Sequence, residues 1–113
     1  MDNTKEYILV YITAPDEDSA KRIGRTLLEE RLCACVNIVP RIKSMYWWQG
    51  KIEEDSEAVL IAKTRRDVFP ALQSKVLEVH PYTCPCVIAI EIKDGYEDFL
   101  RWIDDSLARE GKG

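Results

Sequence analysis

The stretch Cys35-Val36-Asn37-Ile38-Val39-Pro40-Arg41-Ile42-Lys43-Ser44-Met45-Tyr46-Trp47-Trp48 decides the fold, together with the Gln49-Gly50 that closes it and the Ala58-Val59-Leu60-Ile61-Ala62-Lys63-Thr64 that answers it. Both limbs are rich in β-branched and aromatic residues, and a Gly-containing turn between two such runs predicts a hairpin. Pro40 has no amide hydrogen to give to a ladder, so a bulge or an edge position is expected there. Fully extended, Cys35 to Trp48 spans roughly 46 Å at about 3.3 Å per residue. A compact domain of this length has a radius of gyration of only about 13 Å. The hairpin must therefore bend at Pro40 or project beyond its own domain. Tyr46-Trp47-Trp48 places aromatics on both faces of a strand, which one small core cannot cover on both sides. Such residues are typical of a subunit interface, although one of them can also cap the domain's own core.

Working outward, Tyr7 to Ala14 is almost continuously apolar and reads as a buried central strand stopped by Pro15. Acidic Asp16-Glu17-Asp18 suits the positive end of a helix, and Ala20, Ile23, Leu27 and Leu28 recur at helical spacing, which predicts a helix from about Asp16 to Leu32. Downstream of the hairpin, Asp67 is placed to cap a second helix with Pro70 in its first turn. Phe69, Leu72, Val76 and Val79 form its buried stripe, and Pro81 ends it. Val87 to Lys93 is a fourth strand, and a closing helix from Tyr96 should bury Phe99, Leu100, Ile103 and Leu107. The order is strand-helix-strand, strand-helix-strand, helix. Two right-handed crossovers joined by a hairpin give an α+β, ferredoxin-like βαββαβ sandwich with an extra C-terminal helix, whose second sheet face and two edges lack cover.

The 113 residues are one domain, with the tail 109–113 expected to fray. A balance of 16 basic against 20 acidic residues, net −4, argues against nucleic acid as the main partner. No targeting segment or membrane span is visible, so a cytosolic protein without a membrane partner is expected. In a reducing compartment the four cysteines are packing residues, metal ligands or redox groups rather than a disulfide framework.

Those cysteines fall in two Cys-x-Cys pairs, Cys33-Ala34-Cys35 and Cys84-Pro85-Cys86. Residues two apart on a strand point the same way, so either pair is suited to a soft ion such as Cu(I) or Zn(II). A four-thiolate site within one chain is rejected, because the two pairs begin at opposite corners of the expected sheet. His80, the only histidine, lies just before Cys84 and Cys86, and imidazole with thiolates around a turn is a plausible soft-metal site or Cys-His nucleophile. Equally, free cysteine packs as a small hydrophobe, and a histidine before proline can cap a helix end. Lys63-Thr64-Arg65-Arg66 at the start of the second helix is either an anion site or a set of solvated charges. Glu53-Glu54-Asp55 and Glu57 have no calcium-loop spacing and read as a solvated edge. There is no phosphate loop, nucleophile elbow or zinc-protease motif, so nothing identifies an enzyme.

Ala34-Cys35-Val36-Asn37-Ile38-Val39-Pro40, Ser44, Tyr46, Trp48, Gly50-Lys51, Glu57, Lys63-Thr64 and His80-Pro81-Tyr82 with Pro85 resemble the CutA divalent-cation tolerance family, as do Thr13-Ala14-Pro15 and Leu100-Arg101-Trp102-Ile103. The resemblance covers essentially the whole chain. It implies a ferredoxin-like homotrimer packed around a threefold axis, similar in architecture to PII signalling proteins. It also implies a role in tolerance to copper and other divalent metals, without established catalysis. Of the family's proposed copper ligands, a first-strand cysteine is replaced here by Ile12, and the histidine is kept as His80. Where the family usually continues Glu-x-Pro-Glu, this chain has Thr83-Cys84-Pro85-Cys86. Exchanging carboxylates for thiols shifts the expected preference toward soft ions, Cu(I) over Cu(II) or Mn(II). The expected metal site is therefore His80 and Cys86, helped by Cys84. A ligand-binding alternative uses clefts between chains lined by Asn37, Tyr46, Trp48, Glu57, Lys63, Tyr82 and His80, and a trimeric scaffold for a protein partner is a further one.

Overall fold

The apolar run after Glu6 becomes the central strand β1 (Tyr7–Ala14) in the computed structural model, which describes residues 6–108. Its burial alternates without a break, Ile8, Val10, Ile12 and Ala14 facing the core. There follow α1 (Glu17–Glu29), β2 (Cys35–Trp48), β3 (Lys51–Arg65), a short 3-10 turn at Arg66–Val68, α2 (Phe69–Val79), β4 (Val87–Ile92) and α3 (Glu97–Leu107). The sheet order is β2-β3-β1-β4 with every neighbouring pair antiparallel, the ferredoxin-like arrangement expected. The expected frayed tail lies outside the described residues.

Helices α1 and α2 pack on the face carrying Ile8, Val10, Ile12, Ala58, Leu60 and Ala62, and add Ala20, Ile23, Leu27, Leu72 and Val76 to one core. Close approach is possible because α1 has Gly24 at the crossing. A Cβ there would come within 3.1 Å of Val36 Cγ1 and 3.3 Å of Leu60 Cδ1. Helix α1 opens on Asp16, whose carboxylate accepts a hydrogen bond from the Ser19 amide at 2.8 Å, and that bond holds its pKa below the usual carboxylate value.

Three details depart from the sequence expectations. Helix α1 ends at Glu29 rather than Leu32. Arg31 takes the left-handed conformation (φ 59°), and the amides of Arg31 and Leu32 turn back to the carbonyls of Leu28 and Leu27. Arginine holds a place where glycine is usual, and its guanidinium donates to the Ser106 carbonyl of α3. Asp67 does not cap α2. It lies in the 3-10 turn and pairs with Arg65 at 2.9 Å. Phe99 is not in the core but stacks on Trp102 at the surface, 5.3 Å between centroids.

The hairpin both bends and projects. Between Val39 and Ile42 the β2–β3 register shifts around Pro40, the expected bulge. Beyond it, Lys51–Glu57 pairs only with β2, because β1 reaches no further than Ala58. The resulting ribbon ends in a two-residue turn with positive φ at Gln49 and Gly50, and draws the molecule out to 49 × 28 × 22 Å with a radius of gyration of 15.3 Å. Met45, Tyr46, Trp47 and Trp48 stand exposed along it, Trp47 by 73%.

Helix α3 crosses the face opposite α1 and α2, at one end only. Tyr7 donates to Asp104 at 2.8 Å and Arg65 reaches the same carboxylate at 3.0 Å; both come from the strand positions that alternate with the core. The rest of that face carries Leu9, Tyr11, Ile61, Ile88 and Ile90, with Ile88 52% and Ile90 47% exposed.

Candidate functional site around His80

The loop between α2 and β4 begins where Pro81 forbids another helical turn. His80 is the C-cap of α2, its backbone extended and its amide still bonded to the Val76 carbonyl. That turn drives its imidazole under the end of β1, where it is only 7% exposed. Nε2 lies 2.7 Å from the Thr13 carbonyl oxygen, and the Tyr82 amide lies 3.1 Å from Nδ1. A carbonyl can only accept and an amide N–H can only donate. Nε2 therefore carries the proton, Nδ1 supplies its lone pair, and the ring is the neutral tautomer with both nitrogens engaged.

Tyr82 sits beside this ring, centroids 4.8 Å apart, and its hydroxyl donates to Glu57 Oε2 at 2.8 Å. Burial, then the Glu57 hydrogen bond and charge, raise the pKa of this phenol. One step along the ribbon Tyr46 donates to Asp55, and that bond above all pushes its pKa up to about 12. Two phenol–carboxylate pairs thus stand side by side where the ribbon leaves the sheet.

Cys84 is exposed and Cys86 half-buried, both as free thiols in the loop rather than on a strand, so strand alternation does not align them. Burial and, secondarily, the charge of Glu57 raise the Cys86 pKa. A thiol so placed is held protonated, the opposite of what a cysteine nucleophile needs. Cys33 precedes β2 and lies in the core, where burial pushes its pKa up to about 12. Cys35 begins β2 and faces Lys63, 3.8 Å from Nζ. That first pair is split between core and outer face and does not converge. Strands β2 and β4 are the two edges of the sheet, as the rejection of a four-thiolate site assumed. Among the described residues no group of three or more His, Cys, Asp or Glu side chains is arranged to hold a metal ion.

The residues expected to line a cleft divide into two groups. Glu57, Tyr82 and His80 form the cluster above, with Tyr46 nearby. Lys63 lies six residues further along β3, roughly 20 Å away at about 3.3 Å per residue. There its ammonium donates to Asn37 Oδ1 at 2.6 Å and sits 5.9 Å from the Phe99 ring centroid. Trp48 belongs to neither and stands at the ribbon tip. The other polar groups of Lys63-Thr64-Arg65-Arg66 are spoken for: Thr64 donates to the Leu32 carbonyl, Arg65 pairs with Asp67 and Asp104, and Arg66 pairs with Glu6. They do not form an anion site. Sequence reasoning missed Thr13, whose contribution is a backbone carbonyl with no side-chain signature.

The chain is similar to known proteins over most of its length. The family described as CutA1 divalent ion tolerance protein matches residues 8–106. The "Divalent-cation tolerance protein CutA" of Archaeoglobus fulgidus is 49% identical over 98 residues, covering 87% of this chain and 95% of that protein. Its counterpart in Pyrococcus horikoshii is 47% identical over 96 residues, 85% and 93% of the two chains. The crystal structure of CutA1 from Oryza sativa superposes with a TM-score of 0.90 at 43% identity, covering 95% of this chain and 98% of that one.

Proposed function

Because this chain belongs to the CutA1 divalent ion tolerance family, we propose that it acts in tolerance to divalent and heavy-metal ions as a cytosolic homotrimer that holds soft ions, Cu(I) ahead of Cu(II), on Cys86 and Cys84 beside His80. The observation that carries this is the pair of free thiols in the short loop that His80 opens, with the Glu57 charge acting on Cys86. Cu(I) is satisfied by two thiolates, so it does not need the three-donor group that the described residues lack. Support for the assembly comes from the part of the outer sheet face that α3 leaves open and from the aromatic ribbon, which one chain leaves uncovered. We assign no catalytic role, since the half-buried Cys86 is tuned away from nucleophilicity.

The test is an anaerobic native mass spectrum with stoichiometric Cu(I) in competition with a soluble chelator. A trimer retaining one copper per chain is expected for the wild type, with copper lost from Cys86→Ser. Surrender of copper by both forms overturns the thiol site.

A second function is favoured by the other cluster. Lys63, held by Asn37 beside the stacked Phe99 and Trp102, offers one cation and an aromatic face, as a pocket for a small organic anion would. A signalling module using clefts between chains, the PII-like alternative, rests on this group. A thermal-shift screen of nucleotides and organic anions should then give a rise in melting temperature that Lys63→Ala abolishes. A flat screen removes this alternative and leaves the scaffold role as the remaining competitor to metal binding.

A further inference from the structure

Cys35 and Lys63 are direct partners across the β2–β3 ladder, and the neighbouring Ala34 amide donates to the Lys63 carbonyl at 2.8 Å, so the backbone fixes the pair. The Lys63 ammonium donates to Cys35 Sγ at 3.8 Å and to Asn37 Oδ1 at 2.6 Å. Both side chains are half-buried, open enough for a small oxidant to reach the sulfur. Among the described residues no other thiol has an ammonium within hydrogen-bond reach. Cys33 lies in the core with its pKa pushed up to about 12, Cys86 feels the Glu57 carboxylate instead, and Cys84 stands exposed. Neither function proposed above uses Cys35.

We propose that Cys35 and Lys63 are a redox modification site, at which hydrogen peroxide joins the two side chains through a reversible sulfur–nitrogen bond. Peroxide reacts with the thiolate form of cysteine. The sulfur attacks one peroxide oxygen, the O–O bond breaks, and the departing hydroxide takes a proton from the Lys63 ammonium to leave as water. Cys35 is then a sulfenic acid and Lys63 a neutral amine beside it. A sulfenic acid condenses with a thiol or a nitrogen within reach. On this face the nitrogen is at hand and the nearest thiol in sequence, Cys33, is turned into the core. The amine lone pair attacks the sulfur and the S–O bond breaks. The sulfenic oxygen leaves as a second water, with its own hydrogen and one from the amine. Sulfur has given up two electrons and the peroxide has taken them. The flexible four-carbon stem of lysine lets the nitrogen leave Asn37 and close the gap. The product staples the start of β2 to β3 and removes the charge of Lys63, and a thiol reductant attacking the sulfur restores both side chains.

The experiment treats the chelator-stripped full chain with hydrogen peroxide, stops the reaction with catalase, blocks free thiols and digests with trypsin in the absence of reductant. Mass spectrometry is expected to find the peptide carrying Cys35 joined to the one carrying Lys63, at their summed mass less two hydrogens. Cleavage after Lys63 should be lost, and dithiothreitol should release both peptides. The same treatment in denaturing urea is expected to give no link, because the β2–β3 pairing is gone. Lys63→Arg keeps a cation beside the thiol but no amine to close the bond. It is expected to stop at the sulfenic acid, read as dimedone labelling of Cys35 that the wild type loses as its link forms. The wild-type peptide map decides the matter without relying on any variant to fold. A Cys35 that stays reduced while Cys84 oxidises overturns the proposal. So does a Cys35 that ends as sulfinic acid or as a disulfide with Lys63 free, or a link that forms equally well in urea.

Discussion

Replacing Ile88 and Ile90 together by lysine is expected to convert the protein to a monomer that keeps its fold. Sedimentation should show the wild type at three times the 13.1 kDa of one chain and the double variant at that single mass. Both isoleucines lie on β4, opposite Tyr11 and Leu9 of β1, on the face that α1 and α2 do not touch. They are 52% and 47% exposed in the single chain, so neither contributes much to folding alone. If a second copy covers the exposed half of each, that adds about 1 kcal/mol per side chain to association. Losing both then weakens each interface by about thirtyfold, and the cost of burying two ammonium groups is added to that. Far-UV circular dichroism should be unchanged, because the core side of β4 is untouched. A wild type that sediments as one chain would show that nothing covers this face, and the trimer would have to be abandoned.

The same face shows where sequence patterning succeeds and where it stops. The near-continuous apolar, β-branched runs Tyr7 to Ala14 and Ala58 to Thr64 make the strands legible, and which of their residues face the core then follows from counting by two. The ribbon was legible for the same reason, and Pro40 announced the bulge through a missing donor. Helix α3 is different. Its amphipathic spacing announces a helix, but its seat is fixed by Tyr7 to Asp104, a contact between residues 97 positions apart. No local pattern encodes that. The end of α1 was missed because Arg31, not glycine, adopts the left-handed turn, and its compensating bond runs to distant Ser106.

The candidate site was legible as residue types but not as an arrangement. His80, Tyr82 and Glu57 stood out through their chemistry and their place in the family resemblance, and the fold does bring them together. What the sequence could not tell is that the imidazole is consumed by backbone partners, since the Thr13 carbonyl and the Tyr82 amide leave no trace in side-chain identity. Lys63 and Glu57 share a strand face, both being odd-numbered positions of β3, yet strand rise alone keeps them in separate clusters within one chain. A pattern gives the face; only distance along the strand gives the neighbourhood.

His80→Ala is expected to destabilise the chelator-stripped protein by about 2–4 kcal/mol, measured by urea unfolding at a fixed protein concentration. The ring makes two hydrogen bonds in a nearly dry place, one to the end of β1 and one to the start of its own loop. Alanine removes both, leaves the Thr13 carbonyl and the Tyr82 amide without those partners, and opens a void where the imidazole was. Either unpaired group alone costs about 1–3 kcal/mol when water cannot replace the lost partner. Because the measurement is made without metal, it isolates the part His80 plays in holding α2 and the loop against the sheet. A ligand role alone predicts no change under those conditions and a loss only when metal is present. An unaltered midpoint would therefore show that these two bonds do not hold the loop.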